Sequence, residues 1–312
     1  RRSSPLGADM NRLSTQLGKL NLQNPVTVAS GTFGTEYSAF YDLNILGAYV
    51  SKTITPEPKI GNPPPRLYET QAGMLNSIGL QNPGLNAFIN ENLPELKAQL
   101  SVPIIVSISA ESTNLFAMMI RHLEATRMVD AYELNVSCPN VENEGIAFGQ
   151  DPYVVMRLIS ELRPLTDKEL IVKLSPNVTD IAKIAKAAES GGADSIALIN
   201  TLFGMALDYQ TGKSFIAKGI CGYSGPAIKP IALANTWKVS QAVKIPILAM
   251  GGIITWQDAL EFFYAGASAI ALGTANFYNP KAVPDCLEGL NDFLEKHDLD
   301  LCDLIGKALI PA

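Results

Sequence analysis

The sequence predicts an α/β fold, a single (β/α)8 barrel of the TIM type with long loop insertions over the C-terminal mouth of its strands. Three observations lead there. Eight short runs are almost wholly apolar and rich in β-branched residues, the pattern of parallel strands buried on both faces. Stretches with helical spacing lie between them, and eight strand–helix units argue for a closed barrel over an open sheet. Polar or glycine residues follow nearly every run, so a parallel barrel would gather them on one rim.

In order, the run 26–29 hands over to Ser30 and Gly31, and the run 48–51 to Lys52 and Thr53. The run 104–107 ends on Ser107, and 131–134 gives way to Asn135. The run 170–174 carries Lys173 at its end, and 195–199, ending on Ile199, leads into Asn200 and Thr201. The last two, 247–250 and 269–272, are followed by Gly251–Gly252 and Gly273–Thr274. Helices are expected at 181–190, which stops at Gly191–Gly192, at 234–242, and at 256–264, with Thr255 as N-cap and Gly266 beyond its end. Three segments, 53–85, 137–150 and 201–230, exceed ordinary βα loops and would lie over the mouth, where such barrels place their active sites. The first contains Pro63–Pro64–Pro65 and should be extended and stiff. No Gly-x-Gly-x-x-Gly turn follows the first strand, so a dinucleotide-binding Rossmann domain has no support.

The chain has 312 residues, 47% of them apolar, enough for one barrel-sized domain over 10–312. Residues 1–9 are expected to be an expression-vector remnant, with Met10 as the natural start. The net charge is −6 and no run of Lys or Arg exceeds two, which argues against a nucleic-acid partner. No apolar stretch approaches the ~20 residues of a membrane span, and the opening RRSSPLGAD has no apolar core for export. The four cysteines, Cys138, Cys221, Cys286 and Cys302, show neither zinc nor ferredoxin spacing, and a reducing cytoplasm is the expected location. Only His122 and His297 are present, which nearly excludes His-centred metal sites and Ser–His–Asp triads.

Gly251, Gly252, Gly273 and Thr274 follow the seventh and eighth strands, where many barrels bind phosphate through backbone N–H groups at a helix start. The plain alternative is glycine turns between strand and helix. Lys52 and Lys173 each end an apolar strand. Singly each reads as a snorkelling surface lysine, but together on one rim they suit a ligand. One could stabilise a developing anion or form a Schiff base. Cys138 opens a polar loop between Asn135 and Asn140, poor surroundings for a core thiol, so it reads as reactive. Cys286 and Cys302 read as helix-packing residues, and Cys221 alone carries no reading. Asn76, Asn135, Asn140, Asn200 and Thr201 suit a planar ring with alternating N–H and C=O groups, whereas Asn82 and Asn86 read as loop caps.

These residues resemble the dihydroorotate dehydrogenase family from about Asn11 to the last strand. The resemblance is carried by six pieces in the family's order: Gly61–Asn–Pro–Pro–Pro–Arg66, Met74–Leu–Asn–Ser–Ile–Gly–Leu–Gln–Asn–Pro–Gly84, Asn135–Val–Ser–Cys–Pro–Asn140, Lys173–Leu–Ser–Pro–Asn177, Ser224–Gly–Pro–Ala–Ile–Lys–Pro230 and Gly273–Thr–Ala–Asn276. It implies a bound FMN and oxidation of dihydroorotate to orotate in pyrimidine synthesis, with Cys138 removing the C5 proton and the C6 hydride leaving for the flavin. Lys173 is similar to the lysine beside the flavin N1/O2 edge, and Lys52 would meet both flavin and substrate. Asn76, Ser77, Ile78, Gly79 and Leu80, with Asn135, Asn140, Asn200 and Thr201, resemble the orotate-binding set. Ser30, Thr53, Ser107, Asn135, Ile199 and Gly225 fall at flavin positions, with Gly251, Gly252, Gly273 and Thr274 at its phosphate.

A cysteine base resembles the soluble class 1 enzymes, which are commonly homodimers, and the Ile78 and Lys173 stretches look like subclass 1B. Such enzymes pair with a second subunit holding FAD and a 2Fe–2S cluster and pass electrons to NAD. Ser107 departs from the Asn that many 1B members carry there. A dihydropyrimidine dehydrogenase-type flavoprotein acting on uracil or thymine is the nearest rival, against which Asn140 speaks. A Schiff-base aldolase using Lys173 and a non-catalytic flavin-binding subunit are more distant ones.

Overall fold

The computed structural model describes residues 12–136 and 148–308. Strands run at Thr15–Leu17 (β1), Leu20–Leu22 (β2), Val26–Val28 (β3), Tyr49–Val50 (β4), Leu67–Thr70 (β5), Gly73–Asn76 (β6) and Ile104–Ile108 (β7). They continue at Ala131–Asn135 (β8), Glu169–Lys173 (β9), Ser195–Leu198 (β10), Leu202–Gly204 (β11), Cys221–Ser224 (β12), Ile247–Met250 (β13) and Ala269–Leu272 (β14).

The eight runs of the sequence pattern are all strands of one parallel sheet, in the order β3-β14-β13-β10-β9-β8-β7-β4. The ring closes between its outermost members through a parallel bridge from Thr27 to Ala48, and the Gly47 N–H donates to the Val26 carbonyl at 2.8 Å. With the intervening helices this is a (β/α)8 barrel.

Two apolar layers follow from the alternation of side chains along each strand. The outer layer packs strands against helices. The inner one contains Ala48, Val50, Ile105, Ala131, Ile171, Ala197, Leu248, Met250, Ala269 and Ala271, joined by Leu17, Leu20 and Leu22. Those leucines belong to an N-terminal hairpin, β1–β2, that plugs the floor of the barrel and had no clear sequence signal. Its tip is fastened to Glu169: the Lys19 N–H donates to Oε2 at 2.6 Å, and Ser195 Oγ donates to Oε1 at 2.5 Å. Burial pushes the Glu169 carboxyl above the usual range, and the two donors and Lys19 oppose that rise in part.

Two expectations are corrected. The helix placed at 234–242 spans Lys229–Ser240. Pro230 sits in its first turn, where a missing N–H breaks no helical bond, so the proline marks the start of the helix. The long segments 53–85 and 201–230 are not merely loops. Each contributes two strands to a four-stranded antiparallel sheet, order β11-β12-β6-β5, standing over the mouth. The proline-rich stretch leads into the β5–β6 hairpin of that sheet. Most of the third long segment, 137–147, lies outside the described residues, and with it the expectations for Cys138 and Asn140.

Helices 181–190 and 256–264 stand at the expected bounds, the second with Thr255 as N-cap in a reciprocal capping box with Asp258. Asn82 is a loop cap, as read: its Oδ1 accepts from the N–H groups of Thr55 and Gly84. Cys286 is buried in the helix Ala282–His297, whereas Cys302 is exposed on a single 3-10 turn and is not a buried helix-packing residue. Among the described residues no helix is long and apolar enough to cross a membrane.

Candidate active site

Strand alternation sets what reaches the mouth. Ile105, Ala131 and Ile171 belong to the inner layer. Two residues further along the same strands come Ser107, Glu133 and Lys173, which therefore also point inward but one layer nearer the mouth. By the same step Val50 leads to Lys52, Ala197 to Ile199 and Ala271 to Gly273.

A continuous polar network results. Lys173 Nζ donates to Ser30 Oγ at 2.9 Å and stands 3.5 Å from Glu133 Oε1, with both side chains buried. Ser107 Oγ donates to the same carboxylate oxygen at 2.7 Å and lies 2.8 Å from Thr53 Oγ1. Glu133 Oε2 is buried without a hydrogen-bond partner among the described residues. Thus Ser30, Thr53, Ser107 and Lys173, taken from four separate strand ends, are brought together through a fifth residue that sequence reasoning missed. Glu133 sits inside a run read as apolar, and only its odd polarity at an inward-facing position could have singled it out.

Lys52 stands at the same rim. A Cβ added to Gly31 would lie 2.8 Å from its Nζ. Burial, Lys173 and Arg66, in that order, hold its ammonium below the usual lysine value. Arg66, quoted above only as part of a motif, is therefore also part of the electrostatics. Among the described residues, Lys52, Lys173 and Arg66 bring three cations to the rim and Glu133 one carboxylate, a balance that favours anionic ligands.

The segment after β6 is shaped by its neighbour. Asn62 Nδ2 donates to Ser77 Oγ at 2.7 Å and to the Ser77 carbonyl at 3.1 Å, and the Asn62 N–H donates to the Ile78 carbonyl at 3.0 Å. Gly79 and Leu80 both have positive φ, so the chain turns back over the mouth. Asn76 closes β6 in register with Gly222. Asn135 ends β8 in register with Lys173, and Thr201 packs under Gly222. The Asn200 N–H donates to the Leu174 carbonyl at 3.0 Å, while its Oδ1 accepts from the Thr201 N–H at 2.8 Å. Ile199 is buried beside Gly251.

The four residues expected at a phosphate divide into two kinds. Gly251 and Gly252 have φ of +124° and +76°, and a Cβ on Gly252 would lie 2.6 Å from the Lys229 backbone nitrogen, so the fold itself requires both glycines. At Gly273 the nearest atom to an added Cβ is Ala29 Cβ at 3.5 Å, an ordinary contact, so the chain alone does not demand glycine. Thr274 Oγ1 donates to Ser224 Oγ at 2.8 Å, joining this loop to β12, and Gly225 packs on Gly73 just beyond. The helix that follows, Ala275–Tyr278, is a single turn, so a phosphate here would rely on backbone N–H groups and little on a helix dipole.

The Gly149 N–H donates to the Val136 carbonyl at 3.0 Å. Both ends of the Cys138 segment are thus anchored beside Asn135.

Comparison with known proteins adds the following. A family model described as dihydroorotate dehydrogenase matches residues 12–294. The chain is 50% identical over 297 residues to a Thermoanaerobacter pseudethanolicus protein named dihydroorotate dehydrogenase B (NAD(+)), catalytic subunit, covering 94% of this chain and 98% of that one. Proteins of the same name from Geobacillus kaustophilus (50% identical, 92% of each chain) and Bacillus cereus (48% identical, 93% of this chain and 94% of that one) are similarly close.

Proposed function

The chain belongs to the dihydroorotate dehydrogenase family, and from that premise we propose that it oxidises dihydroorotate to orotate for pyrimidine synthesis, using FMN at the barrel mouth. The observation that carries the reading is the cationic rim of Lys52 and Lys173, together with a loop at Gly273 whose glycine no neighbouring atom of the chain demands. When bound, FMN supplies a two-electron acceptor for the hydride from C6. Each of the chain's own groups has a task.

Cys138, as thiolate, takes the C5 proton. The electron pair of that C–H bond becomes the C5=C6 double bond, and the hydride leaves C6 with its pair. A thiol suits this because its ordinary pKa of ~8.5 lies near working pH and falls beside cations. Lys173 provides positive charge where reduction builds negative charge on the ring edge, and Lys52 provides it to flavin and to the substrate carboxylate. Asn76, Ser77, Ile78, Gly79, Leu80, Asn135, Asn140, Asn200 and Thr201 hold the pyrimidine ring and exclude water. Ser30, Thr53, Ser107, Ile199 and Gly225 line the flavin, with Gly251, Gly252, Gly273 and Thr274 at its phosphate. The relatives are named as B-type catalytic subunits. On that footing a partner subunit with FAD and a 2Fe–2S cluster carries the electrons to NAD, and the catalytic chain itself pairs as a homodimer in the cytoplasm. The B-type names also count against uracil or thymine as substrate, and they outweigh the departure at Ser107.

The purified protein is expected to show flavin absorption bands that bleach when dihydroorotate is added without oxygen and do not bleach with dihydrouracil. A colourless protein, or bleaching by dihydrouracil alone, would overturn the reading.

The glycine loops give a second test. Gly252→Ala is expected to lose about 1–3 kcal/mol, from its left-handed backbone and the contact with Lys229. Gly273→Ala should stay within ~0.5 kcal/mol of the parent yet retain FMN more weakly. Urea unfolding and flavin release on gel filtration separate the two effects. Unchanged flavin retention in Gly273→Ala would remove the phosphate from that loop.

A further inference from the structure

Glu133 is fully buried, and among the described residues its carboxylate is the one anion in the network beside Lys173. Ser107 holds one carboxylate oxygen, and no described residue hydrogen-bonds to the other. Its charge is therefore compensated chiefly by Lys173. On the remaining inner walls the same alternation brings Ile199 and Gly273 to this depth, above Ala197 and Ala271, and neither ionises. The other cations facing the pair are Lys52, which feels Lys173, and Arg66 beyond Lys52. Glu169 lies at the opposite, floor end of the barrel. Two ammonium groups crowded at one rim repel each other, and without a nearby anion the less costly outcome is for one to give up its proton.

We propose that Glu133 is a positioning residue: it holds the Lys173 ammonium against Ser30 and lets both rim lysines stay protonated together while negative charge builds at the mouth. This rests on the flavin reading above, which it deepens by assigning the anion that sets the charge of the site. Reduction of a bound flavin is sensitive to that charge. Removing the carboxylate while Lys173 is still protonated leaves the site more positive and raises the flavin midpoint potential. At higher pH the unsupported lysine loses its proton earlier, and the potential of the variant falls sooner.

The test compares the parent with Glu133→Gln and Glu133→Asp. The flavin midpoint potential is measured from pH 6 to 10. In parallel, flavin-depleted protein is labelled with acetic anhydride over the same range, and the Lys52 peptide is quantified by mass spectrometry. Glu133→Gln is expected to raise the potential at pH 6 and to move the break in the potential–pH curve down by about 1–2 pH units. It should also move the labelling midpoint of Lys52 to higher pH, because a neutral Lys173 no longer repels its ammonium. Glu133→Asp keeps the charge but withdraws it by one methylene, so it should shift both readouts in the same direction by less. A purely packing role would lower thermal stability and leave both curves in place, which would overturn the proposal. A protein that carries no flavin would defeat the flavin reading alone, because the labelling midpoints still decide the role of Glu133.

Discussion

Cys138→Ala is expected to lower kcat for dihydroorotate by about 10²–10⁴, the usual contribution of a positioned general base, while flavin absorption remains at the parent level. Cys138 lies outside the described residues, but the strand that leads to it does not. Asn135 is in register with Lys173, and the Val136–Gly149 hydrogen bond ties both ends of the segment to the mouth. Cys138 follows Asn135 by three residues in the sequence. Cys138→Ser sharpens the test, since a hydroxyl ionises far above a thiol. Its rate should still be climbing at pH 10, where the parent has reached its plateau. Steady-state kinetics from pH 6 to 10 read both outcomes. Parent-like rates in Cys138→Ala would remove Cys138 from the reaction and reopen the non-catalytic reading.

Lys173→Met is expected to have the largest effect on stability. At 3.5 Å its ammonium and the Glu133 carboxylate attract by on the order of 4 kcal/mol at an effective dielectric near 20, an amount comparable with what burying the two charges costs. The intact pair therefore adds little net stability. Breaking it strands a buried carboxylate whose second oxygen has no partner among the described residues, and that loss is about 3–5 kcal/mol. Adding Glu133→Gln to Lys173→Met should recover a large part of it, because the stranded charge is gone. Urea unfolding of the two single variants and the double variant gives the coupling directly. Additive losses would show that the two groups do not interact. The rate of flavin reduction should fall by about 10²–10³ in Lys173→Met and should not return in the double variant, which separates the chemical role from the structural one.

Much of the barrel was legible from periodicity. Runs such as 104–107 and 247–250 are apolar because both faces are buried, and that signal needs no knowledge of the partner strand. The residues ending each run were legible for the same reason: a parallel barrel puts all eight strand ends on one side whatever the loops do. Less was legible in the long segments. β6 pairs with β12, and Gly222 with Asn76, across a separation no local window spans. Pro230 was read as the end of a loop because its helix gives little amphipathic signal.

The order of the strands, the rim residues and the family were determined by the sequence itself, since each depends on which residue types follow one another along the chain. Tertiary structure alone decided that Glu133, Ser107, Thr53, Ser30 and Lys173 form one network. The Lys173–Ser30 contact joins residues 143 positions apart. Pairing of buried charges is set by distance through the barrel interior, and that distance exists only once the ring has closed.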